Sequence, residues 1–230
     1  MVNPQRQHLH TNRCCLYLVF GFSNSPEIPF GEQNSSLLDQ RFALQWVQSN
    51  IANFGGDPKQ VTIFGESAGG ESVKQLLANP PSPLPFRGAI MQSQQTGLVA
   101  DGKANYEKVL ENFGCDTLEC IRGVSGTDIQ AYVNSAGLSA GFPPVDGDGT
   151  YTSNVLPSIV SGKFADVPVL MGTNKDESEV FFAAAGLNSD VGLLEGVLAL
   201  TGLDISTIQN PLLSKYDAAL TKNTYALINR

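Results

Sequence analysis

The chain has 230 residues, 42% of them hydrophobic and 16% charged, with a formal net charge of −8. That length accommodates one α/β domain with a sizeable core, and the composition suits a soluble globular protein rather than a disordered one. The acidic balance argues against nucleic acid as a partner and against anionic membrane surfaces, and no apolar run reaches the roughly 20 residues of a membrane-spanning helix.

In the N-terminal stretch, Arg6 and Arg13 precede an apolar run at residues 14–22, an arrangement with the outline of a signal peptide. The run is short, Arg13 abuts it, and no small-x-small cleavage site follows, so no convincing signal peptide is read. A loop rich in Ser, Asn, Pro and Gly fills residues 23–34. A helix is expected from Ser35 or Ser36, with Asp39 three residues past Ser36 in a capping arrangement. Leu38, Phe42, Trp46 and Val47 recur at helical spacing and predict one apolar face, and Gly55-Gly56-Asp57-Pro58 ends the segment. Asn34-Ser35-Ser36 is an N-glycosylation sequon placed at that helix start.

Val61-Thr62-Ile63-Phe64 then reads as a buried strand running into Gly65-Glu66-Ser67-Ala68-Gly69-Gly70. Val73, Leu76 and Leu77 follow at helical spacing. Strand, Gly-x-Ser-x-Gly and helix in that order form a nucleophile elbow, a turn tight enough to require glycine on both sides and to thrust one hydroxyl outward. The competing reading is an ordinary strand-to-helix loop, which the flanking periodicity disfavours. Ser67 is the candidate nucleophile.

The elbow helix is expected to end near Ala78, before Pro80, Pro81, Pro83 and Pro85, and a second strand is expected over residues 88–92. Short helices are expected over residues 105–136, with Tyr106, Val109 and Leu110 in one buried stripe and Ile129, Tyr132 and Val133 in another. Asp146-Gly147-Asp148-Gly149 reads as a turn, and Pro157 opens a further short helix. A third buried strand is expected over residues 167–172, and an apolar, helical pattern beyond Ser178. Helices alternating with strands predict a mostly parallel sheet flanked by helices, in one domain.

Cys14 and Cys15 are adjacent and poorly placed for a bridge, whereas Cys115 and Cys120 can close a small loop if the turn brings their Cβ atoms to about 3.8 Å. A reduced pair would look the same in sequence. A metal site is disfavoured there, because no histidine or further cysteine lies nearby.

A serine hydroxyl needs a base, a group that orients the base, and donors for the developing oxyanion. The backbone N–H of Ala68, the residue after the nucleophile, is one candidate donor. In elbow-type hydrolases the acid and then the histidine follow the serine along the chain. Glu177, just past the third strand, is the candidate acid; a solvated loop carboxylate near Lys175 and Asp176 is the alternative. Asp146 is a second, less attractive acid, since its Asp-Gly pair explains itself as a turn. The histidines are His8 and His10, both upstream of Ser67 in a stretch that reads as a mobile tail.

The order of motifs is specific. Phe20-Gly21-Phe22, Gly31-Glu32-Gln33-Asn34, Leu38-Asp39-Gln40-Arg41, Ala43-Leu44-Gln45-Trp46-Val47, Phe54-Gly55-Gly56-Asp57-Pro58 and the elbow follow one another. Then come Phe86-Arg87-Gly88-Ala89-Ile90-Met91-Gln92-Ser93, Val145-Asp146-Gly147, and Pro168-Val169-Leu170-Met171-Gly172-Thr173-Asn174-Lys175-Asp176-Glu177. Together they closely resemble the type-B carboxylesterases, the cholinesterase and fungal lipase family.

The resemblance implies an α/β-hydrolase fold and hydrolysis of carboxylic esters, small-molecule or lipid, through a serine acyl-enzyme. No metal or organic cofactor is implied. Motif for motif, Ser67 corresponds to the nucleophile, Ala68 to an oxyanion donor and Glu177 to the acid; Cys115 and Cys120 fall where related fungal esterases carry a disulfide, which implies secretion. Ser178 stands where the family usually has glycine.

Residues 1–18 do not match, leaving residues 19–230 as a partial domain. The glycine-rich oxyanion segment and the histidine loop of the family are not found, so the chain reads as a central fragment truncated at both ends and impaired as a catalyst. Two alternatives stand beside that reading: a non-catalytic, cholinesterase-like binding module, and a non-functional fragment with uncovered sheet edges. Acyl and alcohol preference and oligomeric state are not legible in the sequence.

Overall fold

The computed structural model describes residues 18–94, 101–136 and 141–174. Three strands, β1 (Thr62–Glu66), β2 (Gly88–Gln92) and β3 (Val169–Gly172), form a parallel sheet in the order β1-β2-β3. Helix α1 (Ser35–Asn50) precedes β1, and α2 (Ala68–Ala78) connects β1 to β2. Between β2 and β3 lie α3 (Gly102–Phe113), α4 (Leu118–Arg122), α5 (Gly126–Ala136) and α6 (Leu156–Val160). This is the expected parallel sheet with flanking helices.

Strand residues alternate between the two faces of a sheet, and α2 covers one face across β1 and β2. Ile63, Ala89 and Met91 on that face pack with Val73, Leu76, Leu77, Phe86 and Ala165, and Leu77 is completely buried. A second cluster joins Tyr106, Val109, Cys115, Ile121, Ile129 and Phe142 within the helical region. The stripes expected over residues 105–136 are thus confirmed at their centres.

Two expectations of burial fail: on the face of β1 opposite α2, and on both faces of β3. Phe64, in register with Ile90 and through it with Leu170, is 58% exposed, and all four β3 residues are exposed. β1 and β3 are therefore not buried on both faces, and the apolar runs that predicted such burial report only composition. On α1, Phe42 and Trp46 of the expected apolar face are exposed as well.

Helix α1 starts at Ser35, within the expected position, but its cap differs from the expected arrangement. Its N-cap is Asn34, whose side chain caps nothing in the helix, and Ser36 is buried rather than capping. The Asn34 side chain instead donates to the Val145 carbonyl at 2.8 Å and to Thr150 Oγ1 at 3.0 Å, while its oxygen accepts the Val145 N–H at 2.8 Å. Asn34 is fully buried, which closes the sequon within the fold. Burying a polar amide is tolerated here because its bonding groups find partners.

Candidate active site

Ser67 is the hinge between β1 and α2. It holds φ 54 and ψ −117, a left-handed conformation that costs a non-glycine residue on the order of 1–3 kcal/mol. The ladder maintains it: the Ser67 N–H donates to the Gln92 carbonyl at 3.0 Å, and the Ser67 carbonyl accepts the Glu71 N–H at 3.0 Å. The Ser67 side chain does not cap the helix it precedes, and the residue is half-buried at the carboxyl end of β1. Ala68 opens α2, and the first N–H groups of a helix lack intrahelical acceptors and carry its positive dipole end.

The glycines of the motif do unequal work. A Cβ at Gly65 would lie 2.3 Å from the carbonyl carbon and oxygen of Gly69, so backbone touches backbone there. A Cβ at Gly70 would come 3.1 Å from the Gln94 Cα. At Gly69 a Cβ would meet nothing within 4 Å. The expectation that glycine is required on both sides of the serine therefore holds at Gly65 and fails at Gly69.

A polar network that the sequence did not mark lies along α2. Glu71 accepts from Gln75 Nε2 at 2.8 Å, from Gln94 Nε2 at 2.6 Å and from Lys74 Nζ at 2.6 Å. Gln75 reaches further, donating to the Thr152 carbonyl and accepting the Thr152 N–H, both at 2.9 Å. Arg41 Nη2 donates to the carbonyls of Asn79 and Gly149. Its guanidinium is shifted below its ordinary value by burial, partly offset by the charge of Asp148. These contacts fasten α1 and α2 to the turn around residues 146–152, and no periodicity or short motif would have revealed them.

Asp146, the alternative acid, behaves as the turn reading requires. Its carboxylate accepts the N–H of Ser153 at 2.9 Å and the Ser153 hydroxyl. Asp148 accepts from the N–H and hydroxyl of Thr150 and from the N–H of Tyr151. Glu177, His8 and His10 lie outside the described residues, as do Cys14 and Cys15. Cys115 and Cys120 are joined in a disulfide, with Cα atoms 5.5 Å apart. Among the described residues no group of three or more His, Cys, Asp or Glu side chains could hold a metal ion, and no helix is long and apolar enough to cross a membrane.

The profile of the carboxylesterase family matches residues 19–201. The chain belongs to that family. It is 42% identical to Lipase 4 of Diutina rugosa over 195 residues, covering 74% of this chain and 35% of the lipase. Secreted lipase 1 of Botryotinia fuckeliana is 37% identical over 186 residues, which are 70% of this chain and 32% of that one. Secreted triacylglycerol lipase LIP1 of Gibberella zeae is 37% identical over 194 residues, with the same coverage. The chain thus spans about a third of the length of these curated relatives. Among solved structures, a carboxylesterase of Geobacillus stearothermophilus superimposes with a TM-score of 0.71 at 28% identity, covering 91% of this chain and 46% of the other. The fold is that of a carboxylesterase, an α/β hydrolase.

Proposed function

We propose that this carboxylesterase-family chain carries the nucleophilic half of a serine ester hydrolase. The left-handed Ser67 between β1 and α2 carries the reading, because a strained hydroxyl-bearing turn at a strand end has no structural purpose a glycine would not serve better. In the reaction, Ser67 Oγ attacks the ester carbonyl carbon and passes its proton to a base. The carbonyl oxygen becomes an oxyanion facing the Ala68 N–H. The alcohol then leaves with that proton, and water releases the acid from the acyl-enzyme. Glu177 is the acid that would orient the base, by its position after β3.

The histidines in the 230 residues, His8 and His10, both precede Ser67. In this reading the chain alone is barely activated, since a triad without its histidine loses on the order of a million-fold in turnover. The substrate class is a carboxylic ester, small-molecule or lipid; kinship with three lipases supports a lipid ester. Two of those relatives are named as secreted, which together with the Cys115–Cys120 disulfide supports an extracellular setting. Hydrolysis of a short-chain nitrophenyl ester by the purified chain tests the reading. Turnover is expected at or below the detection limit, and phosphonylation by a fluorophosphonate is expected to be slow and confined to Ser67. Labelling that persists in Ser67→Ala would overturn the assignment of the nucleophile. Fast turnover abolished by that substitution would overturn the impairment.

A further inference from the structure

Glu71 stands in the first turn of α2, four residues after Ser67, with its side chain only 12% exposed. Two of its three partners, Lys74 and Gln75, sit on the same helix and stay near it in any case. The third does not. Gln94 lies two residues past β2, and Gln92, the last residue of that strand, accepts the N–H of Ser67. Between them, Ser93 adopts φ 46 and donates its N–H to the Gly172 carbonyl at 2.8 Å. The chain therefore bends sharply on leaving β2 and comes back over Gly70, close enough that a Cβ there would crowd Gln94.

We infer that Glu71 is a positioning residue for the nucleophile: by holding Gln94 it fixes the bend after β2, and through the Ser67–Gln92 bond it keeps the Ser67 peptide in its left-handed turn. The Ser67 N–H bonds to the strand exit at Gln92, so any shift of that exit is passed to the serine. Small misplacements of a reacting atom are costly to rate. The bond from Gln94 to this half-buried carboxylate is charge-assisted and short, which suits a clamp. The role of Ser67 itself rests on the function proposed above; the clamp does not.

The test uses the 230-residue chain, with folding of each variant verified by circular dichroism. Two quantities are measured: amide hydrogen exchange at Ser93 and Gln94, and the kinetics of Ser67 phosphonylation, resolved into saturating rate and half-saturation concentration. Glu71→Ala is expected to raise exchange by on the order of tenfold and to lower the saturating rate by a similar factor, with half-saturation changed by less than about twofold. Glu71→Gln keeps an oxygen that can accept from Gln94 and is expected to restore both quantities to within about threefold. Unchanged exchange in Glu71→Ala overturns the clamp. Raised exchange with unchanged phosphonylation overturns its link to Ser67. If the unsubstituted chain is not labelled at Ser67, the nucleophile assignment fails, and exchange alone decides the clamp. Should Glu71→Ala not fold, Gln94→Ala removes the donor while leaving Lys74 and Gln75 on Glu71, and the same readings apply.

Discussion

At Gly65 the backbone of the next turn leaves no room for a methyl group, whereas Gly69 faces open space. Gly65→Ala must push β1 and α2 apart, and is expected to cost at least about 2–3 kcal/mol in urea denaturation. Gly69→Ala, at a helical position, is expected to be neutral or to gain up to about 1 kcal/mol. Equal losses at the two sites would show that the motif demands both glycines for its fold. Tyr151 makes a second residue-scale prediction. It is buried, and its phenol is pushed above its ordinary value of 10.0 by desolvation first, then by the charges of Glu71 and Asp146. The folded chain therefore keeps a proton that the unfolded chain releases near pH 10. Stability is lost as pH rises above that point and until the folded phenol ionises. Tyr151→Phe should flatten this part of the stability–pH curve, measured by denaturation between pH 9 and 11; an unaltered slope would remove the tyrosine as its source. The sharp turn at Ser67 was legible because a strand, a glycine and a following helix in that order encode backbone geometry directly. Glu71 and Asn34 were not, because their significance lies in partners 23 and 111 residues away.

Among the elements, β2, α2 and the helices between β2 and β3 were readable from periodicity and proline placement, since local pattern and local packing agree there. The reading failed where burial depends on neighbours. A short run of apolar and β-branched residues looks the same whether a sheet face is covered or open, so Phe64 and Leu170 were expected inside and stand outside. The capping arrangement proposed for Ser36 failed for a similar reason: the buried network around Asn34 sets the start of α1. The disulfide, left open by spacing and implied by resemblance, ties the end of α3 to α4 beside the second core cluster. It closes a loop with a sequence separation of 5, for which chain entropy gives a stabilisation of about 2 kcal/mol. Replacing Cys115 and Cys120 together by serine should lower stability by at least that much, because Cys115 is also buried among apolar side chains. A loss well below 1 kcal/mol in guanidinium denaturation would mean that this region contributes little to the cooperative unit.

For the molecule as a whole, the described residues hold a sheet that α2 covers on one face of β1 and β2, while β3 stands exposed on both faces. Leu77 is fully buried between α2 and the strands, whereas Leu170 is 65% exposed on β3. If the covered face carries the stability, truncating these two leucines must have very different consequences. Leu77→Ala removes a side chain from a close-packed cluster and is expected to cost about 2–5 kcal/mol. Leu170→Ala removes one that is already mostly in water and should change stability by less than about 1 kcal/mol. The open face makes a distinct demand, because contiguous exposed apolar surface favours association. Leu170→Ala should therefore reduce concentration-dependent light scattering even while leaving the melting midpoint in place. Both variants belong in one experiment, with urea denaturation for stability and scattering across a concentration series for association. A large loss of stability at Leu170 would mean that this face is packed in solution.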